Sequence, residues 1–105
     1  MFEVIYMKAD YEPWWMFEGW EETICSRSSF ADAKGALAYC ATLLAELREK
    51  YELEAMKKEC FYAFWSEAEK CFCEGCDEDL QLYHGVILMK DGNPTAYSML
   101  EELGK

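Results

Sequence analysis

Asp10-Tyr11-Glu12-Pro13-Trp14-Trp15-Met16-Phe17-Glu18-Gly19-Trp20-Glu21-Glu22 interleaves five acids, and no bases, with five aromatic side chains. Aromatic rings carry large apolar area at low side-chain entropy cost, so such a block either fills the densest part of a small core or lines a recognition surface. How it is read sets its neighbours. Before it, Phe2 to Lys8 is rich in Val, Ile, Tyr and Phe and reads as a strand. Pro13 removes a ladder donor and restricts Glu12 to extended backbone, which predicts a hairpin turn over Asp10 to Pro13 and a second strand resuming at Trp14. Along that strand Trp14, Met16 and Glu18 share one face and Trp15 and Phe17 the other, with a bulge at Gly19 re-aiming Trp20. Glu21 to Cys25 continues the strand or forms its neighbour, and Ser26-Arg27-Ser28 reads as polar connector.

Further along, Ser29-Phe30-Ala31-Asp32 fits a capping box with Ser29 as the cap. Phe30, Ala33, Leu37, Cys40, Ala41, Leu44, Leu47 and Tyr51 then recur at three- and four-residue steps, predicting one long helix from Ser29 to about Tyr51. Cys60-Phe61-Tyr62-Ala63-Phe64-Trp65 is apolar on both faces, as a central strand covered on two sides should be. Leu80 to Lys90 reads as another strand with Leu82, His84, Val86 and Leu88 on one face and a bulge at Gly85. Asp91-Gly92-Asn93-Pro94 is turn chemistry, with Asn93 as cap and Pro94 as first residue of a short helix through Leu103. In that helix Tyr97, Leu100 and Leu103 would face inward; in the competing reading Thr95 to Met99 returns as a strand. The expected fold is therefore α+β, residues 1–105 forming one domain, with a mostly antiparallel sheet of about four strands on one long helix and a short C-terminal helix.

The chain's 10 bases and 21 acids give a formal net charge of -11. Nucleic-acid binding draws most of its free energy from Lys and Arg on phosphates, so DNA and RNA are excluded as partner expectations; a basic protein surface suits this field better. A hydrophobic fraction of 52% excludes disorder. The N-terminus lacks the basic flank of a signal peptide and no run approaches about 18 apolar residues, so no membrane partner is expected. Six cysteines without a secretion signal suggest reduced thiols and a cytoplasmic location.

Two constellations carry candidate chemistry. In the first, an exposed subset of Tyr11, Trp14, Trp15, Phe17 and Trp20, rimmed by Glu12, Glu18 and neighbouring acids, offers aromatic anchors to a basic partner. In the second, Cys73, Cys76 and His84, completed by Cys60 or Cys71, could hold zinc, although a structural site usually draws its ligands from two knuckles and only one is visible. No cofactor is otherwise expected. Glu74, Asp77, Glu78 and Asp79 disfavour thiolates at Cys73 and Cys76, which argues against redox chemistry. His84 on an apolar strand face reads as a hydrogen-bonded core residue ahead of a catalyst. No nucleophile elbow or phosphate loop occurs, which leans against an enzyme and leaves a metal-dependent protein built around Cys73, Cys76 and His84 as the alternative to a binding module.

The block Asp10-Tyr11-Glu12-Pro13-Trp14-Trp15 with Phe17-Glu18-Gly19-Trp20-Glu21-Glu22 resembles the domain of unknown function 1033, a family of small acidic bacterial proteins. Phe64-Trp65, Phe72-Cys73-Glu74, Cys76-Asp77-Glu78-Asp79-Leu80-Gln81, Tyr83-His84-Gly85 and Lys90-Asp91-Gly92 look like the family's C-terminal half. The resemblance implies a small cytoplasmic protein of Gram-positive type. It implies no activity and no catalytic or ligand residues.

Overall fold

The computed structural model describes residues 1–73 and 78–103, with residues 70–73 and 78–80 described by backbone alone. In chain order the elements are β1 (Phe2–Ala9), β2 (Ile24–Phe30), α1 (Ala33–Lys50), β3 (Leu53–Lys57), β4 (Phe61–Trp65), β5 (Lys70–Cys73), β6 (Glu78–Gln81), β7 (Tyr83–Lys90), β8 (Asn93–Pro94) and α2 (Tyr97–Leu103). Between β1 and β2 the chain makes two 3-10 turns, Pro13–Trp15 and Trp20–Thr23. The main sheet is antiparallel in the order β2-β1-β7-β4-β3, and β8 adds a sixth strand against the end of β7. β5 and β6 pair separately as a two-stranded ribbon.

Strand register assigns the two faces, because side chains alternate along each strand and align across the ladder. Lys8 pairs with His84, Tyr6 with Val86 and Val4 with Leu88, while Tyr62 and Phe64 of β4 fall opposite Val86 and His84. This face meets α1, whose capping residue Tyr51 stacks on His84 at 4.2 Å. The other face holds Ile5, Met7, Gly85, Ile87, Phe61 and Ala63, and the 3-10 turn at Pro13 lies on it. Val4, Ile5, Met7, Phe64, Ile87 and Leu88 are fully buried, so the sheet is covered on both sides. Each such side chain contributes about 1.5–3 kcal/mol of transfer free energy.

The α+β class, the long helix and the short C-terminal helix are as expected, whereas the strand count is six in the main sheet. β4 is buried on both faces, as its unbroken apolar run requires.

Several local expectations are corrected. No strand forms at Trp14: Pro13 opens a 3-10 turn, Met16 adopts a left-handed backbone (φ 43°), and the segment covers a sheet face instead of joining it. Ser26-Arg27-Ser28 is not connector but the middle of β2, an edge strand whose exposed side needs no apolar residues. The helix starts later than Ser29, because Asp32 is the cap and its carboxylate accepts from the Gly35 amide at 2.7 Å. Leu80 to Lys90 is not one strand; it divides at Leu82 into β6 and β7.

Gly85 makes no bulge, since the β1–β7 register runs unbroken through it. A Cβ there would lie 2.9 Å from both Pro13 Cβ and Met7 Cγ, so its glycine serves close approach of the turn. Asn93 and Pro94 lie in β8 beyond a turn with positive φ at Asp91 and Gly92, the residue types such a hairpin favours. α2 begins only at Tyr97. In it Leu100 is buried and Leu103 is exposed, so Leu103 does not pack inward as expected.

Candidate docking face

The block of residues 10–22 reaches its position because Pro13 seats over Gly85 between β1 and β4. Tyr11, Trp14, Met16 and Trp20 are half-buried and pack on the core from this side. Their burial leaves two rings outside: Trp15 and Phe17 are each 52% exposed. These two stack with centroids 6.0 Å apart and planes 1° from parallel, and Tyr11 meets Phe17 edge-on at 5.0 Å. Glu12 accepts a hydrogen bond from Trp15 Nε1 at 3.2 Å, which fixes the indole against the turn. Asp10, Glu18, Glu21 and Glu22 of the same segment are exposed. Burial, and then the carboxylate of Glu12, push the Tyr83 phenol above its ordinary pKa.

Into this acidic, aromatic surface the protein places a cation of its own. Lys57, at the end of β3, holds its ammonium 5.8 Å from the Trp14 ring centroid and 5.7 Å from that of Trp15. Both distances fall inside the range of cation–π attraction. Reading the sequence misses Lys57, since only the pairing of Lys57 with Phe61 brings it to this face. Of the residues expected here, Tyr11, Glu12, Trp14, Trp15 and Phe17 come together, and Glu18 is exposed beside them. Trp20 is drawn partly into the core, with its amide bonded to the Phe17 carbonyl.

A second cluster lies on the helix face. His84 is 3% exposed, with Nδ1 2.6 Å from the Tyr6 hydroxyl and Nε2 2.6 Å from Glu69 Oε1. A carboxylate can only accept, so Nε2 carries a proton; in the neutral ring Nδ1 then accepts from Tyr6. Tyr6 keeps that proton, because burial, then Tyr51, Cys25 and Glu69, push its pKa up to about 12. Gln81 holds the same corner by donating to the carbonyls of Ser66 and Glu69, each at 2.8 Å. Nothing in the sequence marks Glu69 or Tyr6 as partners of His84; strand register and the backbone bond of Leu82 to Glu69 create the pairing.

Of the zinc candidates, Cys76 lies outside the described residues, and Cys73 and Cys71 are described by backbone alone. Cys60 is buried beside Leu88, four strand residues or roughly 13 Å along from His84. Both His84 nitrogens are already hydrogen-bonded. Among the described residues no group of three or more His, Cys, Asp or Glu is placed to hold a metal. No helix among them is long and apolar enough to cross a membrane.

Residues 1–103 match the model of a family described as protein of unknown function (DUF1033). The chain belongs to that family. The match spans both clusters, from β1 through α2. No curated protein and no solved structure matches the chain. Membership leaves the activity unassigned.

Proposed function

We propose that the chain is a cytoplasmic docking module whose face around Trp15 and Phe17 receives a basic segment of a partner protein. The observation that carries this reading is Lys57: its ammonium lies over Trp14 and Trp15 while the Trp15–Phe17 stack stays exposed beside the Glu12 carboxylate. A partner's lysine or arginine would find the same rings and carboxylates, and the aromatic anchors would supply the area that a hot spot needs. The test is tryptophan fluorescence titration with a lysine-rich peptide, comparing the wild type with the double variant Trp15→Ala, Phe17→Ala. Loss of at least tenfold in affinity, with weakening as salt is raised, supports the reading; equal affinity of the two proteins rejects it.

A further inference from the structure

The two edges of the main sheet are built differently. β2 carries a bulge, where the register slips from Tyr6–Ser26 to Met7–Ile24 and leaves Cys25 unpaired, and its middle is polar, with Arg27 bonded to Glu3 at 3.4 Å. Both edges carry charges, β3 having Glu54 and Lys57, so the bulge is the defence that sets β2 apart. β3, at the opposite edge, runs in unbroken register from Leu53–Trp65 to Lys57–Phe61. It contains no proline, and Met56 on it is 56% exposed. Among the described residues no strand pairs with its outer side.

What flanks β3 gives that edge a use. Leu53, Ala55 and Lys57 point to the face of Trp14 and Trp15, as their partners Trp65, Ala63 and Phe61 do. Glu54 and Met56 point to the α1 face, where a groove of about 290 Å³ opens between α1, β3 and α2, lined by Leu44, Arg48, Met56, Tyr62 and Tyr97. The groove's end is pinned. Lys58 and Glu59 both hold left-handed backbone (φ 55° each), and the Glu59 carbonyl accepts from the Tyr97 amide at 2.9 Å and the Tyr62 hydroxyl at 3.0 Å. Non-glycine residues in that conformation persist only where the surroundings hold them. Arg48, in the groove's lining, is held by a two-pronged bond to Glu54.

We infer that β3 is a strand-addition edge, and that the basic partner segment docks on it extended, sending alternate side chains to the aromatic face and to the groove. The occupant is a short amphipathic stretch of a partner protein, basic at every second residue and apolar between. Alternation follows from strand geometry, and main-chain bonds to β3 supply affinity that does not depend on side chains. The basic register belongs on the aromatic side, where Glu12 holds the Trp15 indole and Glu18 is exposed next to Phe17. The apolar register belongs in the groove beside Met56. This inference rests on the docking reading for the partner's charge and adds the backbone pairing.

The experiment titrates the full chain with a short peptide of alternating lysine and valine, and with the same peptide N-methylated at every second residue so that one edge cannot pair. Amide hydrogen exchange and chemical shifts report on residues 53–57 and on Trp15. The expected result is slowed exchange at β3 together with shifts at Trp15, and at least a tenfold loss of affinity on N-methylation. Shifts at Trp15 with β3 exchange unchanged and equal affinity of both peptides overturn strand addition while leaving the docking face standing. Absence of any shift at Trp15 removes the docking reading and this inference with it. Protection of β3 that grows with protein concentration before peptide is added overturns the inference in favour of pairing between two copies.

Discussion

His84 and Trp15 each sit in an aromatic cluster on one sheet, yet one ring is 3% exposed and the other 52%. Around His84, Tyr6 and Tyr51 stack on the imidazole and Glu69 closes its second nitrogen, so every polar edge is satisfied inside the fold. Around Trp15 the layer is one ring too thick. Pro13, Tyr11, Trp14, Met16 and Trp20 already cover the sheet, and Trp15 and Phe17 stack on each other above them. The difference teaches that aromatic density does not decide burial. What decides is whether a face still has room, and whether the polar rim of each ring finds a partner there.

Breaking the buried cluster should cost most. His84→Ala removes a ring that two partners need and leaves the Glu69 carboxylate and the Tyr6 hydroxyl without it. A stability loss of about 3 kcal/mol is expected. For a chain of this length that lowers Tm by roughly 12 °C or more. Denaturant unfolding checks it; a loss under about 1 kcal/mol would mean that the cluster adds little to the fold.

The next variant attacks the contact that seats the outer cluster. Gly85→Ala puts a methyl group 2.9 Å from Pro13 Cβ and Met7 Cγ, and a proline ring cannot swing aside. Overpacking of this kind costs about 1–3 kcal/mol. Tryptophan emission should shift to the red as the 10–22 segment lifts from the sheet. Unchanged stability and emission would show that the turn has slack that the geometry does not suggest.

Smaller, and dependent on pH, is Tyr6→Phe. At neutral pH it removes the donor to His84 Nδ1, at a cost of about 1–2 kcal/mol. The wild-type advantage has a definite sign in alkali. The Tyr6 pKa is raised in the fold from 10.0 to about 12, so its contribution is complete below pH 10 and is lost as the pH rises toward 12. The stability difference between wild type and variant should shrink across that window. A constant difference from pH 8 to 12 would mean that the hydroxyl does not titrate against the buried cluster.

These two regions also measure how far the sequence can be read. The helix stripe and the two-sided β4 were legible because each element's period states its burial directly: Ala33, Cys40, Leu44 and Leu47 are buried, as are Phe61, Tyr62 and Phe64. Residues 10–22 were legible as composition and misread as structure. An alternation of large apolar and acidic residues looks like a strand, but the same pattern serves a loop that lays its rings on a sheet. β2 is legible only at its start, Ile24 and Cys25, because the rest of an edge strand with one wet side can be written in serines. The aromatic and acidic members of the candidate docking face are legible in the sequence, whereas Lys57 depends on the β3–β4 register and Glu69 on the pairing of Leu82 with it. Those are tertiary facts with no local signature.

The smallest effect on stability is expected at Trp15. Its ring is half in water, so truncation to Ala forfeits little buried area. What it does forfeit is the parallel stack on Phe17, the hydrogen bond to Glu12 and one of the two rings under Lys57. Exposed aromatic and cation–π pairs contribute about 0.5–1 kcal/mol each. Part of that returns when Phe17 and Lys57 relax into solvent, so a net loss of about 1 kcal/mol is expected. A double-mutant cycle with Lys57→Met isolates the cation, and its coupling to Trp15 should be about 0.5 kcal/mol and should weaken with added salt. A loss of 3 kcal/mol or more for Trp15→Ala would place the ring among core residues in energetic terms. The contrast with His84 would then vanish, and with it the reason to think that this surface is kept open for a partner.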